Sequence, residues 1–181
     1  MKEEQIVQFV CFETPLDTEE FVAKWEQFAG SVNKGTDINL HQSRKNGLFR
    51  YVVLQRCMPD EFHFILENRR RSPFAKEVAI KAERAGGYSI LQLNRTQKMK
   101  AGERKLFAFL HNPISDPDLY SKISVRNNLN IYEPYYENCR YACILEFFIK
   151  DSLAEKLLYK LKQYLHGAET GIYKECALQL S

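Results

Sequence analysis

Two spacings of apolar residues follow one another along the chain in a recurring order. Residues 5–13, QIVQFVCFE, are an unbroken apolar run closed by Thr14-Pro15, which predicts a strand. Asp17 with Glu20 three residues on is a capping-box start, and Phe21, Val22, Trp25, Phe28 and Ala29 then form one helical stripe that claims Trp25 for the core. From Asp37 to Ser43 the period drops to two, with Ile38, Leu40 and Gln42 against Asn39, His41 and Ser43. Asn46-Gly47 predicts a tight hairpin turn. The returning strand, 49–56, puts Phe49, Tyr51, Val53 and Gln55 on one face and Arg50, Val52, Leu54 and Arg56 on the other. Pro59-Asp60 opens a helix to about Asn68, Ser72-Pro73 breaks and restarts it, Gly86-Gly87 ends it, and 88–93 is a closing strand. Residues 5–93 therefore read β-α-β-β-α-β, the ferredoxin-like order.

The second half repeats the order with other residues. Lys105 to His111 is a strand, and Asp116-Pro117-Asp118 starts a short helix to about Ser124. Residues 128–136 form a strand interrupted by Pro134 and so placed at an edge. Arg140 to Ile149 is apolar on both faces and so central, with Cys139 and Cys143 sharing one of its faces. Ser152 and Glu155 make a second capping box before the stripe Leu153, Leu157, Leu158, Leu161, Tyr164, Leu165, and residues 172–180 close the set. Residues 94–103 lack apolar periodicity. The chain divides into 1–94, a linker 95–103, and 104–181: an α+β protein of tandem ferredoxin-like βαββαβ repeats, its antiparallel sheets packed face to face.

Composition adds little to this and excludes some chemistry. With 45% hydrophobic and 27% charged residues the chain is an ordinary globular mixture. The net charge of +3 conceals an acidic start, a basic stretch from Ser31 to Lys105 and a near-neutral remainder. That basic stretch, with Arg69, Arg70, Arg71, Arg104 and Lys105, reads as solvated surface. Five cysteines without zinc or redox spacing, no leader-like start and no long apolar run point to a reducing, cytoplasmic setting without a membrane partner. Phosphate-loop, dinucleotide, HExxH and nucleophile-elbow patterns are absent, and no metal ligand set is read.

The catalytic candidates are His41, on the polar face of its strand, His111, at the end of the strand opening the second half, and Glu146. Glu146 is the most anomalous residue, because a carboxyl group inside the most apolar strand needs a partner or a raised pKa. Arg50, with Tyr51 and Tyr88, is the substrate-binding candidate: an Arg on a half-buried strand suits a carboxylate or phosphate, and the tyrosines supply aromatic lining.

The element order, and above all the broken helix ENRRRSPFAKEVAIKAERAGG before YSILQL, resembles the dimeric α/β-barrel superfamily and, within it, the antibiotic-biosynthesis-monooxygenase group. The resemblance implies two ferredoxin-like sheets joined from two subunits or two halves of a chain. It also implies a cavity between sheet and helices for a small hydrophobic or aromatic ligand, and cofactor-free oxygenation or haem handling. The Asn, Trp and His of haem-degrading members do not carry over, since Trp25 lies on the first helix and no His follows Arg71 in the second. Cofactor-independent monooxygenase-like chemistry or small-molecule binding is the expectation, with a homodimer allowed. A non-catalytic interaction module is the alternative. An RNA-binding domain is disfavoured, because Arg140 to Phe147 echoes an RNA-recognition strand without its Gly and with Cys at the central aromatic position.

Overall fold

The computed structural model describes residues 5–32, 38–45, 49–78, 81–94, 98–123 and 128–179. The elements in order are β1 (Ile6–Glu13), α1 (Thr18–Val32), β2 (Ile38–Lys45), β3 (Tyr51–Cys57), α2 (Pro59–Arg71), α3 (Pro73–Glu77) and β4 (Ala82–Leu93). There follow β5 (Glu103–Leu110), α4 (Pro117–Ile123), β6 (Leu129–Pro134), β7 (Cys143–Lys150), α5 (Asp151–Tyr164) and β8 (Glu169–Cys176). The strands close into one barrel in the order β1-β3-β2-β8-β5-β7-β6-β4, and every ladder in it is antiparallel. Two seams join first-half strands to second-half ones: β2 to β8, and β4 to β6. Each has one register shift, at Ser43/Lys45 and at Ile90/Gln92, bending the sheet where it must turn to close.

Strand alternation sorts the side chains. One set, including Val7, Phe9, Val52, Leu54, Phe107, Phe109, Tyr132, Ile144 and Tyr173, fills the barrel. The other set faces outward and is covered by helices. Phe12, Tyr51 and Val53 lie beneath Phe21 and Trp25 of α1 and Phe74 of α3, while Leu106, Leu145 and Phe147 lie beneath Leu157, Leu158 and Leu161 of α5. Ile6 and Cys57 meet Phe62 and Ile65 of α2. At about 1.5–3 kcal/mol for each large apolar side chain, these layers supply the main drive to fold. Trp25 is core, as its stripe predicts. The Glu20 amide donates to Asp17 Oδ1 at 2.9 Å, so the predicted cap is in place.

Several expectations are corrected. Residues 82–87 belong to β4, a strand of 12 residues rather than the end of a helix. β4 has to reach both β1 (Val7↔Tyr88 to Glu13↔Ala82) and β6 (Tyr88↔Pro134 to Leu93↔Asn130), and that span overrides the helical look of AERAGG. Gly86 and Gly87 do not cap a helix; they make room for rings, because a Cβ would meet Tyr88 Cε2 at 2.8 Å and Tyr136 Cε2 at 2.8 Å. β6 lies between β7 and β4, so Pro134 ends an interior strand, since a closed barrel has no edge to give it. β7 starts at Cys143, which leaves Cys139 in the preceding turn, its thiol donating to Gly87 O at 3.3 Å. α5 begins at Asp151 after Lys150, without a side-chain cap from Ser152. The Asn46-Gly47 turn lies outside the described residues.

Among the described residues the inner faces meet as a packed core. The void found there is about 10 Å³, beside Phe9, Gly86, Tyr88, Phe109 and Tyr141, which is about the room for one water. Eight strands enclose a space that side chains alone can fill.

Candidate functional site

Polar groups gather in two places near opposite ends of β5. The first is sealed inside the barrel. Lys105 of β5 and Glu146 of β7 are both fully buried, with Nζ 2.8 Å from Oε1. The other carboxylate oxygen accepts from Asn130 Nδ2 at 3.0 Å and from the Tyr132 hydroxyl at 2.6 Å. Register explains the meeting: Asn130 stands opposite Glu146 across β6 and β7, and Lys105 opposite Phe148, whose ring centroid is 5.0 Å from Nζ. His41 of β2, also fully buried, joins this end of the interior, its ring edge-on to Phe107 at 5.5 Å. A carbonyl can only accept, so the 3.2 Å contact with Val52 O puts the proton on Nδ1. Nε2 is left as a buried lone pair with no partner among the described residues. Burial, with the Lys105 charge added, holds the His41 pKa well below the usual imidazole value; the Val52 bond opposes this only in part. His41 is therefore a neutral ring.

The second cluster is open. Glu169, first residue of β8 and opposite Phe109 of β5, accepts from the Tyr141 hydroxyl at 2.5 Å through Oε2 and lies 3.1 Å from His111 Nε2 through Oε1. Arg140 Nη2 is 4.0 Å from the same Oε1. His111 is 40% exposed in its side chain, so this carboxylate and base are within reach of solvent. Burial, followed by the bond to Glu169, pushes the Tyr141 pKa far up, so that hydroxyl stays a donor. Beside His111 runs a groove of about 550 Å³ between the loop before α4 and the end of α5. Its lining is apolar at Leu110, Ile114, Leu119, Leu165 and Ala168, and His166 and Lys122 also line it.

The predicted site residues are thus divided. His41 and Glu146 share the sealed end, linked through Lys105 rather than by a bond of their own, while His111 lies outside at the other end of β5 and not near them. Arg50 and Tyr51 are neighbours on the outer side, the guanidinium 5.6 Å from the ring centroid. Arg50 Nη1 donates to Thr14 O at 3.4 Å; Tyr51 stacks on Phe21 at 4.0 Å, its hydroxyl 3.4 Å from Thr18 Oγ1. Tyr88 is inside, edge-on to Phe9 at 5.5 Å, with its pKa pushed up by burial. These three do not line one pocket. Sequence reasoning missed Lys105, which it placed on the surface, and also Glu169 and Tyr141.

Haem, which the resemblance brings into question, finds no ligand nitrogen at His41 Nε2 or His111 Nε2. The lone pair of His41 faces an interior with no room for a macrocycle, and His111 Nε2 is committed to Glu169. Among the described residues no three His, Cys, Asp or Glu side chains gather to hold a metal ion, and no helix is long and apolar enough to cross a membrane.

No family model and no curated protein sequence matches the chain. Solved structures do. A mutant chlorite dismutase from Candidatus Nitrospira defluvii superposes with a TM-score of 0.57 at 8% identity, over 96% of this chain and 93% of that one. Chlorite dismutase from the same source is also represented in complex with imidazole, at a TM-score of 0.55, 8% identity, and 96% and 92% coverage. A Fusobacterium nucleatum protein assigned as a monooxygenase gives a TM-score of 0.56 at 9% identity, over 98% and 94% of the two chains. At such identities the likeness is one of fold: an α+β chain whose eight antiparallel strands close into a barrel.

Proposed function

We propose that this is a small-molecule-binding protein of monooxygenase-like type whose working site is the outer groove at His111 rather than the barrel interior. The observation that carries the reading is the His111–Glu169 pair, 3.1 Å apart, with His111 on a groove of about 550 Å³ of mixed polar and apolar lining. That volume lies in the range of ligand sites, about 300–1,000 Å³. Glu169 draws the proton of His111 to Nε2 and leaves Nδ1 as the lone pair that can accept a proton from a bound acidic O–H or C–H group. A base held this way contributes typically about 10²–10⁴-fold to a proton abstraction, the step with which oxygenation without a cofactor begins. The reading calls on no haem. Pairing of two chains as a homodimer and a cytoplasmic setting stay part of the proposal, the latter supported by five free thiols.

The division into repeats 1–94 and 104–181, joined by 95–103, is part of the same reading. It is supported by the matching strand orders β4-β1-β3-β2 and β8-β5-β7-β6 within the closed barrel. One observation favours the second reading, a non-catalytic interaction module: the filled interior. Thermal-shift screening against simple phenols, quinols and haem separates the two. A ligand present at 100 times its Kd stabilises by about 2.7 kcal/mol, and the reading expects that shift from a phenol or quinol and its loss in His111→Ala. No shift with any compound, or an undiminished shift in His111→Ala, sinks the groove and leaves the module.

A further inference from the structure

We infer that Tyr141 is the positioning residue that sets the tautomer of His111, acting through Glu169. The two oxygens of Glu169 have different partners: Oε2 takes the Tyr141 hydroxyl at 2.5 Å and Oε1 faces His111 Nε2 at 3.1 Å. Tyr141 is 3% exposed and fixed by packing, its ring 5.0 Å from Phe109 and 5.3 Å from His111. A carboxylate gripped through one oxygen by an immobile donor loses its freedom to turn, so the other oxygen keeps its aim. That matters here because a competitor stands by. Arg140 Nη2 is 4.0 Å from the same Oε1, and its half-exposed guanidinium lies over the Tyr141 ring, 5.9 Å from the centroid, within reach of the carboxylate should it turn. Without the Tyr141 hydroxyl, Glu169 can turn to a two-pronged pairing with Arg140, which suits a carboxylate better than an imidazole does. His111 then loses the acceptor that keeps its proton on Nε2, and Nδ1 is no longer reserved as the bare nitrogen. The consequence for a groove ligand rests on the reading above; the tautomer itself does not.

The test is long-range ¹H–¹⁵N NMR of the full chain with ¹⁵N-labelled histidine, without ligand and in mildly alkaline buffer, His111→Gln supplying the assignment. Wild type is expected to show one dominant Nε2–H form for His111, and Glu169→Gln a mixture. Tyr141→Phe keeps the ring and its ring-current shift on His111 while deleting the hydroxyl, and is expected to show the same mixture. Adding Arg140→Gln to Tyr141→Phe removes the competitor and is expected to restore the wild-type form. A wild-type tautomer in Tyr141→Phe, or a wild-type spectrum already mixed, overturns the inference. A groove that binds no compound leaves a positive result here standing, so the two readings fail separately.

Discussion

Glu146 and Glu169 keep similar company near opposite ends of β5. Each accepts a tyrosine hydroxyl, at 2.6 Å from Tyr132 and 2.5 Å from Tyr141, and each has a basic partner, Lys105 at 2.8 Å and His111 at 3.1 Å. The difference is water. Glu146 and Lys105 are fully buried, whereas the Glu169 and His111 side chains are 21% and 40% exposed. The same chemical kit therefore serves stability where it is sealed and is available to a ligand where it is open. A buried charge must be answered within the fold, and its loss is felt by the whole barrel. An exposed pair is screened and contributes little to stability, so it can be spared for other work.

The largest expected effect breaks the sealed pair. Lys105→Met leaves the Glu146 carboxylate in an apolar interior without its cation and should cost about 3–5 kcal/mol, read as a fall in the urea midpoint. The double variant Lys105→Met/Glu146→Leu should recover most of that loss. A double variant as unstable as the single would show that the pair is more than a matched charge. Gly86→Ala comes next and sharpens the comparison from the packing side. The added methyl would meet Tyr88 Cε2 at 2.8 Å and Cys139 Sγ at 3.3 Å, so overpacking of about 1–3 kcal/mol is expected by the same measurement.

The pH dependence follows from His41. Its folded-state pKa is depressed, so below about pH 6.5 the unfolded chain binds a proton that the folded chain refuses. The contribution is complete above that pH and is lost as pH falls, by up to ~1.4 kcal/mol per pH unit until the folded-state pKa is reached. His41→Gln should flatten the stability profile between pH 6.5 and the acid limit; an unchanged slope would remove His41 from the account. The smallest expected effect belongs to the open end. Glu169→Gln and His111→Ala should each change folding stability by less than about 1 kcal/mol, while abolishing the ligand-induced thermal shift. A loss of stability as large as that of Lys105→Met would erase the distinction between the two ends.

Much of the scaffold was legible because period and length agree. The alternation at 38–43, the stripe carrying Trp25 and the apolar run of β7 each allow one role. Glu146 stood out because nothing around it in sequence could answer its charge. Its partner was hidden because Lys105 sits among basic residues that read as surface. Only the pairing of β5 with β7 shows that Lys105 points inward with Phe107 and Phe109. Glu169 and Tyr141 were hidden in the same way, 28 residues apart and brought together only because β8 and β7 flank β5. Barrel closure also explains the misplaced edge at Pro134 and the long β4, since both follow from a seam with the other half that no local pattern encodes.

The most direct test of the central claim is a ¹H–¹⁵N chemical-shift map of the chain titrated with the phenol or quinol giving the largest thermal shift. The account predicts saturable changes at His111, Ile114, Leu119 and Leu165 to Ala168, with Phe107, Tyr132 and Glu146 unmoved. Changes centred on the barrel interior, with the groove silent, would contradict it.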